Sequence, residues 1–512
     1  MTGAGTLRWA TQPFILAGRE QFARFREWLI ASRYTAADIE AQTGVRSMFD
    51  LHALRENRPG FVEPVDLQSL LVHLFLDGTA VPWPTVDRLL SPDDRAIVDA
   101  LGLLQPSVAD PSRCVATVAL YEVERLYMAS DRLPSVEIIG DGIPADIVFS
   151  ALTKHSREFV ERMPRVPCEE YLELCSGAAP AALIAARDFA GHATATDIAE
   201  RATRFAEFNA RLNGIANATM VQGDVYEPVL GKTFDVITAH PPYIPSFDNA
   251  LVFRDGGEDG EQVVRVILEG LARHLRPGGQ FYATCMITSR TGQSAEQRIR
   301  SMLGDAQGEF DLLIGVAKAA PPWEMFAGSL RDGTSTPDLY VRRLAAFEAL
   351  GITEFVAGAF MIQRRATERP VGTRRRSLTP QTTWGDLQWA LRYMAATSDW
   401  SAENVGVLLD ARPCTLPGTR IETRSVLRDG SWNVSAAHLV SSAPFSVKAP
   451  CLPWFPPLLS WCDGTATVRE LYRRLLGLPE FDRNGTEADF ALLLYQLADA
   501  PFIELSAIPV VT

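Results

Sequence analysis

Residues 171–186, "YLELCSGAAPAALIAA", pass from a buried strand pattern into a helical one through a few small residues. Gly177 lies in this turn, where the lack of a side chain lets a strand turn tightly into a helix and lets a ligand approach the backbone. Ala179 stands where a second glycine is expected, and a purely structural turn is an alternative explanation of the stretch. A strand that runs directly into a helix predicts a unit of an α/β fold.

Residues 144–364 repeat this alternation of short apolar strands with helices. Helices of about 10–15 residues between strands indicate a mostly parallel sheet that is covered on both faces. Seven strands are about the number in a complete nucleotide-binding domain, so we expect a Rossmann-like, seven-stranded α/β fold. The predicted strands are EYLELC, HATATD, TMVQGD, FDVITAH, GQFYATCMI, FDLLIGVAK and FVAGAFMIQ.

The flanking regions differ from this pattern. Residues 1–110 predict an α-helical N-terminal domain, and residues 111–143, which include "RCVATVALYEVERLYMAS" and "SVEIIGDG", predict a β-hairpin connector. The basic, turn-rich residues 365–380 indicate a linker, whose "VGTRRRS" run is either solvated or a contact for phosphate. Residues 381–512 end in two helices and a strand, which predicts a small α+β, winged-helix-like C-terminal module. This module either serves packing or dimerisation, or recognises nucleic acid or a peptide.

The composition limits the classes of partner. The 512 residues carry a formal net charge of −13, so a polyanionic partner must be met by a local basic patch. The seven cysteines are scattered without a C-x-x-C pair, which favours a reducing compartment and disfavours a zinc site. Neither a signal sequence nor an apolar segment of membrane-spanning length is evident. We expect a cytoplasmic, soluble protein with no metal and no membrane partner.

Acidic residues follow the second and third predicted strands. Asp197 ends "TATD", 20 residues beyond Gly177, where a carboxylate can accept both hydroxyls of a ribose; capping the next helix is the alternative role. Asp224 ends "QGD", where it can accept a hydrogen bond from an amino-purine, or serve as a turn aspartate before Pro228. Strand ends of this kind are where open α/β sheets bind ligands.

The fourth predicted strand ends in "TAHPPY", residues 238–243. Pro241 and Pro242 remove two backbone donors and hold the chain extended. The result is a rigid lip, defined here as residues 240–243, which presents the imidazole of His240 and the phenol of Tyr243. The alternative is that His240 only packs the strand end.

These features occur in a fixed order at successive strand ends, and in that order the sequence resembles the class I methyltransferases that use S-adenosylmethionine. The resemblance covers about residues 144–364. It is strongest to the branch with Asn-Pro-Pro-Tyr after the fourth strand, which includes the release-factor glutamine methyltransferases and amino-methylating nucleic-acid enzymes. The motifs that carry it are Glu173, Gly177, Asp197, Asp224, the HPPY lip, "RDGGEDGEQ" (residues 254–262) and "LRPGGQFYA".

The resemblance implies S-adenosylmethionine as the cofactor and a role for each matched position. Glu173 and the turn with Gly177 and Ala179 are implied to lie at the methionine part of the cofactor, Asp197 at its ribose and Asp224 at its adenine. The lip, from His240 through Pro241 and Pro242 to Tyr243, is implied to hold the substrate. The helical N-terminal domain followed by a hairpin is also the layout of the glutamine methyltransferases.

Two positions depart from the family pattern. Ala179 replaces a glycine, which the turn accommodates if the backbone has a negative φ. His240 replaces the asparagine, whose amide offers an acceptor and a donor side by side, whereas a neutral imidazole has them on different sides of its ring. With an ordinary pKa of about 6.5, a histidine here can take a proton from a nucleophile near neutral pH.

The sequence therefore predicts an S-adenosylmethionine-dependent methyltransferase that methylates nitrogen. A protein side chain or a small metabolite is the favoured acceptor. An amino group of nucleic acid is the less favoured alternative, because the acidic net charge repels polyanions. A different class is also open, in which the altered "CSGAAP" turn marks a cofactor-binding scaffold without turnover.

Overall fold

The computed structural model describes residues 13–44, 62–132, 144–246, 251–331, 333, 335–398, 405–481 and 484–506. The chain divides into two compact units. The first unit comprises residues 1–304 and 320–355, and the second comprises residues 305–319 and 356–512. Across the described ranges, no helix has both the length and the apolar character that a membrane span requires.

The helices are α1 (Arg19–Ala31), α2 (Ala36–Thr43), α3 (Leu67–Leu71), α4 (Trp83–Leu89), α5 (Pro92–Ala100), α6 (Lys154–Arg162), α7 (Pro180–Asp188), α8 (Glu200–Leu212), α9 (Gln262–His274), α10 (Ala295–Met302), α11 (Pro322–Met325), α12 (Gly328–Arg331), α13 (Pro337–Ala349), α14 (Trp384–Ala396), α15 (Gly406–Asp410), α16 (Phe455–Trp461), α17 (Val468–Leu475) and α18 (Glu487–Asp499). The strands are β1 (Val81–Pro82), β2 (Leu104–Pro106), β3 (Arg113–Ala116), β4 (Ala119–Val123), β5 (Leu126–Ser130), β6 (Cys168–Leu174), β7 (Ala190–Asp197), β8 (Ala218–Gln222), β9 (Phe234–Ala239), β10 (Leu275–Arg290), β11 (Phe310–Ala320), β12 (Ile352–Arg364), β13 (Thr373–Leu378), β14 (Pro413–Thr415), β15 (Arg420–Arg428), β16 (Ser431–Ser441), β17 (Phe445–Pro450) and β18 (Ile503–Leu505).

The first unit contains a parallel sheet with the strand order β8-β7-β6-β9-β10. The order reverses between β6 and β9, which is the topological switch point where ligands bind in open α/β sheets. All seven strands predicted within residues 144–364 are present as β6 to β12, and the helices predicted after the first two are α7 and α8. The α/β class and the parallel pairing are therefore confirmed.

The N-terminal helices and the hairpin of β4 and β5 belong to the same unit. Asn209 of α8 and Asn213, the residue that follows α8, complete the free edge of β5. Asn209 exchanges hydrogen bonds with both backbone groups of Ala129 at 2.7 and 3.1 Å, and Asn213 does the same with Tyr127 at 2.9 and 2.7 Å. The hairpin is thus held against the parallel sheet domain, while the "SVEIIGDG" stretch predicted after it lies outside the described residues.

Part of the predicted linker, residues 365–380, is a strand of the second unit. Residues 373–378 form β13, which pairs in parallel with β11. Arg374 and Arg376 make ion pairs with Asp499 of α18 at 3.3 and 2.8 Å, and Arg374 also donates to the Tyr495 hydroxyl at 3.3 Å. Asp499 is more than 120 positions away along the chain, and it neutralises these arginines. This charge neutralisation allows the basic run to form a strand.

The C-terminal helices surround a core that includes Leu458, Leu471, Leu494 and Phe502. A short antiparallel pair, β14 with β18, closes this core, and β15, β16 and β17 form an antiparallel meander beside β13. An α+β module is present, whereas its likeness to a winged helix stays a prediction.

Candidate functional site

The carboxyl ends of β6, β7 and β9 lie level with one another. Leu174, the last residue of β6, pairs with Thr196 in β7 and with Ala239 in β9. The residues that follow these strands therefore meet at one edge of the sheet. Asp197 and His240, two of the predicted site residues, are the next residues after those partners.

The turn after β6, residues 175–179, is named the cofactor loop. Asp197 holds it, because its Oδ2 accepts a hydrogen bond from the Gly177 N–H at 2.8 Å while its Oδ1 accepts one from the Ala199 N–H at 2.9 Å. Burial raises the pKa of Asp197, and these two backbone hydrogen bonds oppose that rise. Each carboxylate oxygen keeps acceptor capacity for a further donor. The predicted acceptor role is compatible with this geometry, whereas Asp197 does not cap α8, whose N-cap is Ala199 without a side-chain cap hydrogen bond.

Glu173 lies beneath the cofactor loop and is almost fully buried. Its Oε2 accepts a hydrogen bond from the Ala182 N–H in the first turn of α7 at 2.7 Å. Burial raises the pKa of this carboxyl to about 8, more than its backbone hydrogen bonds lower it. At neutral pH the group is mostly protonated, so it can donate a hydrogen bond as well as accept one.

Ala179 has φ 59° and ψ 44° and is fully buried. The accommodation expected at a negative φ is therefore not what the chain uses, because the residue occupies the left-handed region that favours glycine. Its N–H donates to the Ser176 carbonyl at 2.7 Å, and its own carbonyl accepts from the Leu183 N–H at 3.1 Å. The turn keeps the geometry of a glycine loop at the cost of local strain.

Three features of the loop and its surroundings fit a polar ligand such as S-adenosylmethionine. The buried Ser176 hydroxyl has no hydrogen-bond partner among the described residues. A Cβ added at Gly177, whose φ is 53°, would meet no atom within 4 Å, so the space beside this backbone is open. The Asp224 carboxylate is exposed just beyond β8. Buried hydroxyls usually find partners, so the unpaired Ser176 hydroxyl suits a ligand atom.

The lip is fixed by residues 254–262, which are named the brace. The Ile244 N–H donates to the Arg254 carbonyl at 2.9 Å, and the Gly256 N–H donates to the Ile244 carbonyl at 2.9 Å. A Cβ at Gly256 would lie 2.8 Å from the Pro242 carbonyl oxygen, and one at Gly260 would collide with the Tyr243 carbonyl oxygen. Gly256 and Gly260 of "RDGGEDGEQ" are therefore required by the close approach of the lip backbone, whereas a Cβ at Gly257 would meet only the Gln262 side chain.

Glu261 anchors the end of the brace in the protein interior. Its Oε1 accepts hydrogen bonds from the Thr288 N–H at 2.6 Å and from the Thr288 hydroxyl at 2.7 Å, and its Oε2 pairs with Arg298. Both oxygens of this fully buried carboxylate are thereby used. The brace has one end on the lip and the other on β10, which makes the lip a rigid element.

Two lip residues belong to a column of four stacked rings. The ring of His240 lies between Tyr243 and Phe159, with centroid distances of 6.0 and 5.2 Å and interplanar angles of 21° and 29°. Tyr282 of β10 lies behind Phe159 at 5.5 Å and 16°. Neither Phe159 nor Tyr282 was predicted as a site residue, because an aromatic residue on a helix or strand gives no sign in the sequence of what it stacks on.

The surroundings of His240 change its acid–base behaviour. Burial, together with the nearby His155, lowers the pKa of His240 to about 4. The expectation of a titration near pH 6.5 is therefore wrong, because the apolar rings disfavour the charged imidazolium. At neutral pH this imidazole is uncharged, with one ring nitrogen free to act as an acceptor.

Residues 147–308 match the family model of the methyltransferase small domain. Among relatives, the chain is 33% identical over 150 residues to the release factor glutamine methyltransferase of Moorella thermoacetica, which covers 27% of this chain and 52% of that protein. It is 33% identical over 117 residues to a putative protein N5-glutamine methyltransferase of Methanocaldococcus jannaschii, covering 22% and 58%. The ribosomal protein uL3 glutamine methyltransferase of Bradyrhizobium diazoefficiens is 34% identical over 124 residues, covering 22% and 39%.

The chain spans about half the length of the curated relatives it matches, and less of some. Among solved structures, the comparison with the T. Thermophilus 16S rRNA N2 G1207 methyltransferase in complex with AdoMet and guanosine gives 16% identity and a TM-score of 0.25 over 48% of this chain and 50% of that one. A TM-score this low does not establish a shared fold. The family match and the relatives instead identify residues 147–308 as a class I, S-adenosylmethionine-dependent methyltransferase domain of the branch that includes the release factor glutamine methyltransferases.

Proposed function

We propose that this protein transfers a methyl group to an uncharged nitrogen of a protein side chain, with a small metabolite as the second choice of acceptor. The observation that carries the proposal is the neutral, ring-stacked His240 on a rigid lip beside the cofactor loop. The curated relatives named as protein glutamine methyltransferases support a protein amide as the acceptor.

The cofactor loop and the acidic residues at the neighbouring strand ends have proposed roles in holding S-adenosylmethionine. Asp197 accepts hydrogen bonds from the ribose hydroxyls, and Asp224 accepts one from the adenine amino group. Gly177 lets the methionine part approach the backbone, while Ser176 and the protonated Glu173 offer hydroxyl groups to it. The bound cofactor supplies an electrophilic methyl group on a sulfonium sulfur.

The lip has the proposed task of positioning the acceptor nitrogen. The Pro241 carbonyl and the neutral His240 nitrogen each accept a hydrogen bond from the acceptor N–H groups, and Tyr243 forms a platform for a planar group. Fixing these groups before the reaction lowers its entropic cost. The rigid brace supports this role because it leaves the lip backbone little freedom.

The low basicity of His240 favours one class of nitrogen. An imidazole with a pKa of about 4 does not remove a proton from an ammonium group at neutral pH. An amide or aromatic amine, in contrast, already enters uncharged, and it becomes a strong acid as its nitrogen forms the new bond. A weak base such as His240 then suffices to take the released proton. The proposed acceptor is therefore an amide or an aromatic amine in preference to a lysine-type amine.

The experiment is a transfer assay in which radiolabelled S-adenosylmethionine and the protein are incubated with a fractionated cell lysate. We expect label in the protein fraction. His240→Ala and Tyr243→Ala should lose the label while their affinity for S-adenosylhomocysteine, measured by calorimetry, stays unchanged. His192→Ala is the matched control, because His192 lies near the start of β7, at the opposite end of the sheet. Among the described residues, its side chain hydrogen-bonds only the Thr219 hydroxyl.

Three outcomes contradict the proposal. Label in nucleic acid would support the amino-group alternative, and cofactor binding without label in any fraction would support a scaffold. If His240→Ala loses transfer and cofactor binding together, the lip has a structural role and not a substrate-positioning one.

A further inference from the structure

The hairpin of β15 and β16 stands out from the rest of the second unit by its exposure. All residues of β15 are exposed, and so are the first five of β16. Asp429 and Gly430 form its two-residue loop, and both have a positive φ, 50° and 76°, as a type I′ turn requires. The hairpin therefore ends in a regular turn, and neither face of its outer half is covered. Such an exposed surface is suited to contact another molecule.

One face of the hairpin is cationic. Arg420, Arg424 and Arg428 alternate along β15, so they project from the same side of the strand. Among the described residues, none of these three guanidinium groups is within ion-pairing distance of a carboxylate, and the Glu422 carboxylate between them lies 3.9 Å from Lys448. In a chain of net charge −13, this is a local basic row.

The same face also carries uncharged hydrogen-bonding groups. Ser431 pairs with Arg428 across the two strands, Asn433 with Val426, and His438 with Glu422. Directly opposed residues share a face, so a hydroxyl, an amide and an imidazole alternate with the cations. RNA presents phosphates and 2′-hydroxyl groups in a similar alternation, and the 2′-hydroxyl is the group that distinguishes it from DNA.

The opposite face is apolar near the tip. Trp432 is 73% exposed and pairs across the strands with Leu427, which is 56% exposed. An indole left in water, on a ribbon whose other face carries the arginines, has the properties of a stacking platform for bases. The ribbon is only two strands wide, about 5 Å between them, so a flexible strand that crosses its edge can reach both faces.

The arginines of β13 are a useful contrast within the same unit. Arg374 and Arg376 are engaged by Asp499 and are therefore poor candidates for phosphate. The hairpin arginines lack such partners in the described residues and are fully available. We propose that the β15–β16 hairpin is a docking surface for single-stranded RNA, with phosphates at the arginine row and a base stacked on Trp432.

The proposal is tested by fluorescence anisotropy of a labelled, mixed-sequence single-stranded RNA of about 16 nucleotides, titrated with the full chain at several salt concentrations. Three phosphate contacts predict that the slope of log affinity against log salt falls in magnitude by about 2 in Arg420→Gln/Arg424→Gln/Arg428→Gln. The matched control, Arg392→Gln/Arg473→Gln/Arg474→Gln, removes the same charge from exposed helix positions and should keep the slope. Trp432→Ala should lower affinity roughly 5- to 150-fold, and Trp432→Phe should keep most of it.

If the parent does not bind RNA, or if the salt slope falls equally in the two triple variants, the proposal is overturned. The arginines would then serve only to prevent aggregation at an exposed sheet edge. If single-stranded DNA of the same sequence competes as strongly as unlabelled RNA does, the assignment to RNA is overturned. Each variant is also titrated with S-adenosylhomocysteine, whose affinity should not change. That titration keeps a failure of RNA docking distinct from a failure of the proposed methyltransferase activity.

Discussion

The cofactor loop and the lip follow the ends of two neighbouring strands, β6 and β9, and the chain departs from the family pattern once in each. The cofactor loop is held by carboxylates that accept backbone N–H groups, as Asp197 does for Gly177 and Glu173 for Ala182. The lip is held by close backbone packing against the brace and by stacked rings. One part is fixed by hydrogen bonds, the other by shape.

The two departures therefore differ in kind. Ala179 adopts the backbone conformation of the glycine that it replaces, so the change costs strain and leaves the loop geometry intact. His240 replaces a paired amide with a neutral ring that carries a single acceptor. If the proposed roles hold, we expect the change at Ala179 to leave cofactor binding intact and the change at His240 to alter which acceptor fits.

The largest effect is expected from a change that breaks the shape of the lip. Gly260→Ala places a Cβ against the Tyr243 carbonyl at a φ of 79°, and should lower the free energy of unfolding by about 2–4 kcal/mol. Gly231→Ala is the matched control, because Gly231 has the same φ and open space around it, so only the strain of about 1–2 kcal/mol applies. Urea unfolding measures both variants, and equal losses would show that the brace does not press on the lip.

An intermediate effect is expected from the protonation of His240. The pKa of this ring falls from 6.5 to about 4 on folding, so between these values the unfolded chain binds a proton that the folded protein does not. Stability from this group is complete above pH 6.5 and is lost as the pH falls toward 4. His240→Asn should therefore reduce the loss of unfolding free energy between pH 7 and pH 5 by roughly 1–2 kcal/mol. Urea unfolding at both pH values tests this, and identical losses in parent and variant would contradict a lowered pKa of the partly buried ring.

The smallest effect is expected at the cofactor loop. Ala179→Gly should raise the free energy of unfolding by about 0.5–1 kcal/mol, because relief of the left-handed strain exceeds the added flexibility of the unfolded chain. Ala178→Gly, at the neighbouring position without a positive φ, should instead lower it by a similar amount. Urea midpoints of the two variants that move in the same direction would contradict the strain at Ala179.

Much of the methyltransferase domain follows from the sequence, because strand ends and buried strands leave local patterns. Asp197 and the lip were placed at the right strand ends by those patterns alone. The sign of φ at Ala179 and the stacking of Phe159 on His240 depend on the packed fold and leave no local pattern. The strand β13 also leaves no local pattern. Its arginines predict a linker in the sequence, because Asp499, which pairs with Arg376 in the fold, is far away along the chain.

The central claim is that the cofactor loop binds S-adenosylmethionine while the lip acts on the acceptor. Calorimetric titration of S-adenosylhomocysteine into the parent, Asp197→Ala and His240→Ala tests it most directly, with the exposed Asp87→Ala as a control. We expect binding to the parent, an affinity at least roughly 10-fold lower for Asp197→Ala because a charged hydrogen-bond acceptor is lost, and unchanged affinity for the other two variants. No binding to the parent, or an Asp197→Ala variant that binds as well as the parent, would contradict the account.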